Sequence, residues 1–89
     1  MVFDWNEANV EHIARHGITP EECEEAYRNG PMVIEHQMRK DEHRRLCLGE
    51  TGSGKLLTFV VTERKGKIRF VTAYPMHSKQ RDIYRGGKN

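Results

Sequence analysis

Cysteine is scarce in this sequence. Cys23 and Cys47 are the only two, too far apart for a paired metal motif and too few for a disulfide scaffold, so both are expected to be reduced thiols in apolar surroundings. No window approaches the roughly 20 consecutive apolar residues that span a membrane. The opening MVFDWNEANV has neither the basic start nor the apolar run of a secretion signal, which points to a cytoplasmic protein with no membrane partner. A chain of 89 residues makes a single domain, 1–89, with little room for a cofactor cavity, and no cofactor is expected.

A second absence decides how GETGSGKLL, residues 49–57, is read. It fits the first seven positions of a phosphate-binding P-loop, but Leu56 stands where Ser or Thr must follow the lysine to hold magnesium. The residues after it, Leu56-Leu-Thr-Phe-Val-Val-Thr62, are β-branched and aromatic, so they continue as a strand and not as the helix whose N–H groups cradle phosphate. Gly49, Gly52 and Gly54 are therefore expected to serve a hairpin turn. His12 and His16 have helical i,i+4 spacing but lack the intervening glutamate of a zinc protease and any ligand at motif spacing downstream. His12 is expected to meet the sheet or solvent, His16 to finish the helix, and no metal site is expected.

What is present is a reversal of charge along the chain. Residues 1–42 carry 10 acids against 4 bases, a balance of −6, whereas residues 43–89 carry 11 bases against 3 acids, a balance of +8. If folding gathers those bases on one side, the field attracts a polyanion such as nucleic acid or an acidic partner; if it scatters them, they serve solubility alone.

Local signals give helices first and a sheet after. Asn6 caps a helix running to about Arg15, with Gly17 at or just past its end. Thr19-Pro20-Glu21-Glu22 is a capping box with proline at the first helical position. It opens a helix that turns Cys23, Ala26 and Tyr27 inward and stops at Gly30. Strands are expected at Met32 to about His36, Arg44 to Glu50, Leu56 to Arg64 and Lys67 to Tyr74. Gln37 to Glu42 reads as a polar loop and Gly66 as a tight hairpin. Leu56 to Arg64, almost continuously apolar at its start, is the central strand. His77 to Arg85 forms a short terminal helix before a flexible Gly-Gly-Lys-Asn tail. The result is an α+β fold: two N-terminal helices packed on one face of a small antiparallel sheet of three or four strands.

Phe3-Asp-Trp-Asn-Glu-Ala-Asn9, His12-Ile-Ala-Arg-His-Gly-Ile18 and Pro20-Glu-Glu22 open a pattern that resembles BrnT-type toxins of the RelE-like group of small ribonucleases. Glu42 with Arg44, Leu46-Cys-Leu-Gly49, Thr62-Glu-Arg64, Ile68-Arg69 and Arg81 with Tyr84 continue it along nearly the whole chain. The sequence departs from that pattern at Tyr74, where the family carries Arg, and at Gln80, where it carries Glu. The resemblance implies a RelE-like fold, metal-independent RNA cleavage, and a small antitoxin partner. The substrate it implies is single-stranded or ribosome-associated RNA. The alternative is a noncatalytic RelE-like module that binds RNA or protein.

Metal-free cleavage needs a base for the ribose 2′-hydroxyl, charge stabilisation at phosphorus and an acid for the leaving oxygen. Arginine's planar fork suits phosphate, so Arg69, Arg44 and Arg81 are candidate catalytic residues and Arg64 a candidate RNA contact. Arg69 comes first because its strand neighbours Ile68, Phe70 and Val71 can fix it; otherwise it is a solvent-facing base opposite an acid. His77, where the sheet turns into the last helix, is the candidate proton carrier, or else a surface histidine. Lys67 and Lys79 offer point charges to phosphate, and Tyr74 and Tyr84 offer rings for stacking or for packing on the sheet.

Overall fold

The computed structural model describes residues 1–87. In chain order the elements are β1 (Phe3–Asp4), α1 (Glu7–Ala14), α2 (Pro20–Arg28), β2 (Met32–Arg39), β3 (Glu42–Glu50), β4 (Leu56–Arg64), β5 (Lys67–Pro75) and α3 (Ser78–Gly87). Asn6 caps α1 through its side chain to the Asn9 N–H, and Thr19 and Glu22 close the full capping box of α2. Gly30 ends the chain's run out of α2 at φ +83°, a conformation glycine takes without a Cβ clash. Among the described residues no helix is long and apolar enough to cross a membrane.

The sheet has five strands in the order β1-β5-β4-β3-β2, with β4 at the centre. Four are antiparallel neighbours, but β1 pairs parallel to β5 through Phe3 with Ile68 and Asp4 with Arg69, so the sheet is mixed and has a strand that local pattern did not announce. The expected polar loop at Gln37 to Glu42 is also corrected. Strands β2 and β3 run on and join through Lys40 and Asp41 alone, at φ 49° and 64°. Two successive positive φ values make the tight turn that matches strand twist, here without glycine. Of the expected tail, Gly86 and Gly87 belong to α3, and Lys88 and Asn89 lie outside the described residues.

Alternation along β4 sorts the core into two. Leu57, Phe59 and Val61 face α1 and α2, joining Ile13, Ile18, Cys23, Ala26, Cys47, Ile68, Phe70 and Ala73 in the main cluster. Trp5 stacks on Phe70 at 5.1 Å and 3°, and its Nε1–H donates to Glu24 at 2.8 Å. Leu56 points the other way, into a smaller cluster with Leu48, Met76, Tyr84, Met32 and Ile34 under α3. The third helix therefore covers the opposite face of the sheet and makes the fold three-layered at one end.

The loop Thr51–Lys55 is a turn, as its flanking strands require: the Thr51 N–H donates to Lys55 O and Gly54 adopts φ +90°. Lys55 Nζ is committed to Gly17 O at 2.8 Å and Glu22 at 2.9 Å, and the Gly52 N–H to the Glu25 carboxylate, so the groups a P-loop would offer to phosphate tie the turn to the helices. Gly49, expected in the turn, lies inside β3 instead. A Cβ there would stand 3.3 Å from Ala26 O, so its smallness lets α2 approach the sheet.

Candidate nucleic-acid interface

α3 covers the end of its face formed by Leu48, Leu56 and Thr58; toward the β2–β3 and β4–β5 hairpins no helix among the described residues lies on that side. Register sets what lies there. Arg44 on β3, Thr62 on β4 and Arg69 on β5 are consecutive cross-strand partners and share that face. The two arginines are thus two strand spacings apart, roughly 9.5 Å, with Thr62 as the floor between them. Thr62 is 1% exposed and its hydroxyl donates to His43 O, so it makes a satisfied floor. Two residue pairs further along the hairpin, Arg64 and Lys67 are partners on the same face.

Arg44 donates from Nε to Glu42 Oε1 at 2.8 Å, and Arg64 from Nη2 to Glu42 Oε2 at 3.1 Å. These bonds, that from Arg44 first, hold the Glu42 carboxyl below the ordinary carboxylate range. Glu42 aims two guanidinium groups with one side chain. Arg69 differs: its Nε is buried and has no hydrogen-bond partner among the described residues. A buried donor left unmatched costs about 1–3 kcal/mol, a cost that an anion bound against it removes.

A β-bulge decides what joins Arg69. Val61 pairs with Phe70 but Val60 pairs with Thr72, leaving Val71 as the extra residue of β5. Three residues apart on a regular strand, Arg69 and Thr72 would face opposite sides; the bulge brings both, and Tyr74 after them, to the open face. The Tyr74 hydroxyl accepts from Gln80 Nε2 at 3.2 Å, and Gln80 Oε1 accepts from Thr58 at 2.7 Å and from the His77 N–H at 3.1 Å. At the rim of β5, His12 Nε2 lies 2.9 Å from Thr72 Oγ1, and the His16 ring lies 6.2 Å from that of Tyr74.

The sequence-derived candidates divide accordingly. Arg69, Arg44, Arg64, Lys67 and Tyr74 share one face. His77 and Arg81 stand at the junction of β5 and α3, where Arg81 Nη1 donates to Met76 O at 2.7 Å while the His77 ring is exposed. Lys79 is exposed on α3. Tyr84 needs correction as a stacking platform: it is 7% exposed, packed in the smaller core, and its hydroxyl donates to Glu50 at 2.9 Å. Residues that sequence reasoning did not assign to the site are Thr62, Thr72 and Gln80. The His12–His16 spacing was the one signal pointing to the rim. A cleft of about 410 Å³ between Asn29, Pro31, Met32, Glu50 and Tyr84 lies elsewhere, and its lining holds a carboxylate and no cation, which does not fit a phosphate.

This fold and this face define a small α+β domain equipped to hold a polyanion across exposed strands. The sequence model of the family described as "Ribonuclease toxin, BrnT, of type II toxin-antitoxin system" matches residues 5–80. The chain belongs to that family, and membership brings with it an antitoxin partner. No curated protein and no solved structure matches at a significant level.

Proposed function

We propose that this chain cleaves RNA by metal-independent transesterification on the face floored by Thr62, and that its antitoxin silences that activity. The observation that carries the reading is Arg69: a guanidinium with a buried, unpartnered Nε, on the same face as Arg44 and two strands from it. Two guanidinium groups at that separation can close on one phosphodiester from either side. They stabilise the charge that grows on its non-bridging oxygens as phosphorus becomes pentacoordinate, which is the task a metal ion performs in other nucleases. Arg64 and Lys67 continue the positive track along the strands for flanking phosphates, and Tyr74 offers a ring for a base. Arg81, His77 and Lys79 border the face at the start of α3, within the same proposal.

The test is cleavage of single-stranded RNA, and of RNA on translating ribosomes, by the antitoxin-free chain in excess EDTA. The upstream fragment is expected to end in a 2′,3′-cyclic phosphate or its opened product. Arg69→Ala is expected to lower the single-turnover rate about 100-fold or more while weakening RNA binding far less, because a donor matched to developing charge acts mainly on the transition state. The noncatalytic alternative draws on Tyr74, which stands where the family pattern carries Arg. Saturable RNA binding with no cleavage above that of Arg69→Ala would establish it.

A further inference from the structure

We infer that His12, in the last turn of α1, and His16, in the turn that follows it, are the two proton-transfer groups of this site; the inference rests on the reading of the open sheet face as the place where RNA is cleaved. β1 pairs with β5 only at Ile68 and Arg69, so among the described residues the outer side of β5 beyond Arg69 carries no strand. α1 packs against β5 instead. Ile13, 1% exposed in the main core, fixes the rotation of the helix. The chain leaves the helix in a turn closed by the His16 N–H on Ile13 O, which sets the His16 ring beside that of His12 along the rim of β5.

The rim is built to receive them. The bulge at Val71 turns Thr72 and Tyr74 to the same face as Arg69. Thr72 Oγ1 holds His12 Nε2 at 2.9 Å, which orients one imidazole and leaves its other nitrogen for a ligand. The His16 ring is 5.6 Å from that of His12 and turned 77° to it, so the two imidazoles stand side by side with their planes nearly perpendicular. It also lies edge-on to Tyr74, whose hydroxyl already accepts from Gln80 and so keeps its own proton to donate outward. Both histidines are exposed to incoming substrate, and both lie along β5 from the arginine that holds the phosphate. Among the described residues no third His, Cys, Asp or Glu joins them, so the arrangement favours proton exchange over ligation of a metal.

The reaction uses both rings. One imidazole takes the proton from the ribose O2′ as that oxygen forms its bond to phosphorus. The other, entering as imidazolium, gives its proton to O5′ as the P–O5′ bond breaks. The products are a 2′,3′-cyclic phosphate and a 5′-hydroxyl, with the enzyme's two rings left in exchanged protonation states. Attacking and leaving oxygens lie on opposite sides of phosphorus, which is why two groups facing different directions are needed.

A pair of substrates tests this: an ordinary RNA and the same RNA with sulfur in place of the scissile O5′, whose thiolate leaves without protonation. In single-turnover assays His12→Ala and His16→Ala are each expected to slow the ordinary substrate about 100-fold or more with RNA affinity little changed. The sulfur substrate should restore one variant, the one lacking the acid, to near the wild-type rate and leave the other slow. Gln at either position keeps a hydrogen-bonding side chain but cannot exchange a proton, and should be as slow as Ala. His36→Ala, an exposed imidazole on the edge strand, controls for loss of surface charge. Wild-type rates in both variants, rescue by Gln, rescue of both or neither variant by sulfur, or loss confined to His77→Ala would each overturn the inference while leaving the face as the cleavage site. No cleavage by the wild-type chain would overturn the functional reading itself, and this inference with it.

Discussion

Gln80 is a small side chain with a large expected effect. It is 6% exposed at the base of α3, and three groups depend on it: the Thr58 hydroxyl, the His77 N–H and the Tyr74 hydroxyl. Gln80→Leu keeps the volume but removes every partner at once. Thr58 is fully buried and would lose the acceptor for its proton, costing about 1–3 kcal/mol; the two half-buried groups recover part of their loss through water. The sum is about 2–4 kcal/mol, against a total of roughly 5–13 kcal/mol for a domain of this size. Thr58→Val alone should cost less, since it leaves Gln80 with two partners. In the double variant the Thr58 penalty has vanished, so the two changes should fall short of additivity by about 1–2 kcal/mol. Urea unfolding followed by far-ultraviolet circular dichroism and Trp5 fluorescence measures all four proteins. Strict additivity, or a Gln80→Leu cost below about 0.5 kcal/mol, would refute the view that this amide organises the junction of β5 and α3. The same variant frees Tyr74, so RNA cleavage should suffer beyond what stability explains.

Burial pushes the Cys23 thiol up to about 12 and the Cys47 thiol up to about 11, so neither should react with a thiol reagent near neutral pH in native protein, and both should react at once in denaturant. Gly49→Ala places a Cβ against the Ala26 carbonyl oxygen and should destabilise by about 1–3 kcal/mol, read as a lower urea midpoint with an unchanged slope. Lys55 holds the Glu22 carboxyl below its ordinary range, as Arg44 and then Arg64 do for Glu42. With folded values depressed, both contributions are whole above the ordinary carboxylate range and are lost as pH falls through those depressed values; Glu22→Gln and Glu42→Gln should flatten that acid limb.

What the sequence made legible was whatever is written in adjacent residues. Thr19, Pro20 and Glu22 announce α2 because a capping box is a local contract between side chain and backbone, and the apolar run from Leu56 announces β4 because both of its faces are covered. The missed features are non-local or lack their usual residue. β1 is two residues long and exists only because β5 is beside it. The turn at Lys40 and Asp41 takes positive φ with no glycine to signal it. The stripe of Gln80 and Tyr84 shows that α3 is amphipathic, but nothing in it names the face of the sheet it covers.

The site depends on a feature of the same hidden kind. Read by strict alternation, β5 would put Thr72 with Ile68 and Phe70 in the core and turn Ala73 outward with Arg69; in the fold Ala73 is fully buried and Thr72 faces His12. No glycine or proline marks Val71 as the extra residue, so only the register with β4 reveals it. Three acids of α2 meanwhile take partners at the helices: Glu22 on Lys55, Glu24 on Trp5 and Arg28, Glu25 on the Gly52 N–H. On the open face Glu42 pairs with two of the arginines, Arg44 and Arg64. The basic half of the chain becomes a binding surface because strand register sets Arg44, Arg64, Lys67 and Arg69 on one face, while a single bulge aligns Thr72 and Tyr74 with them.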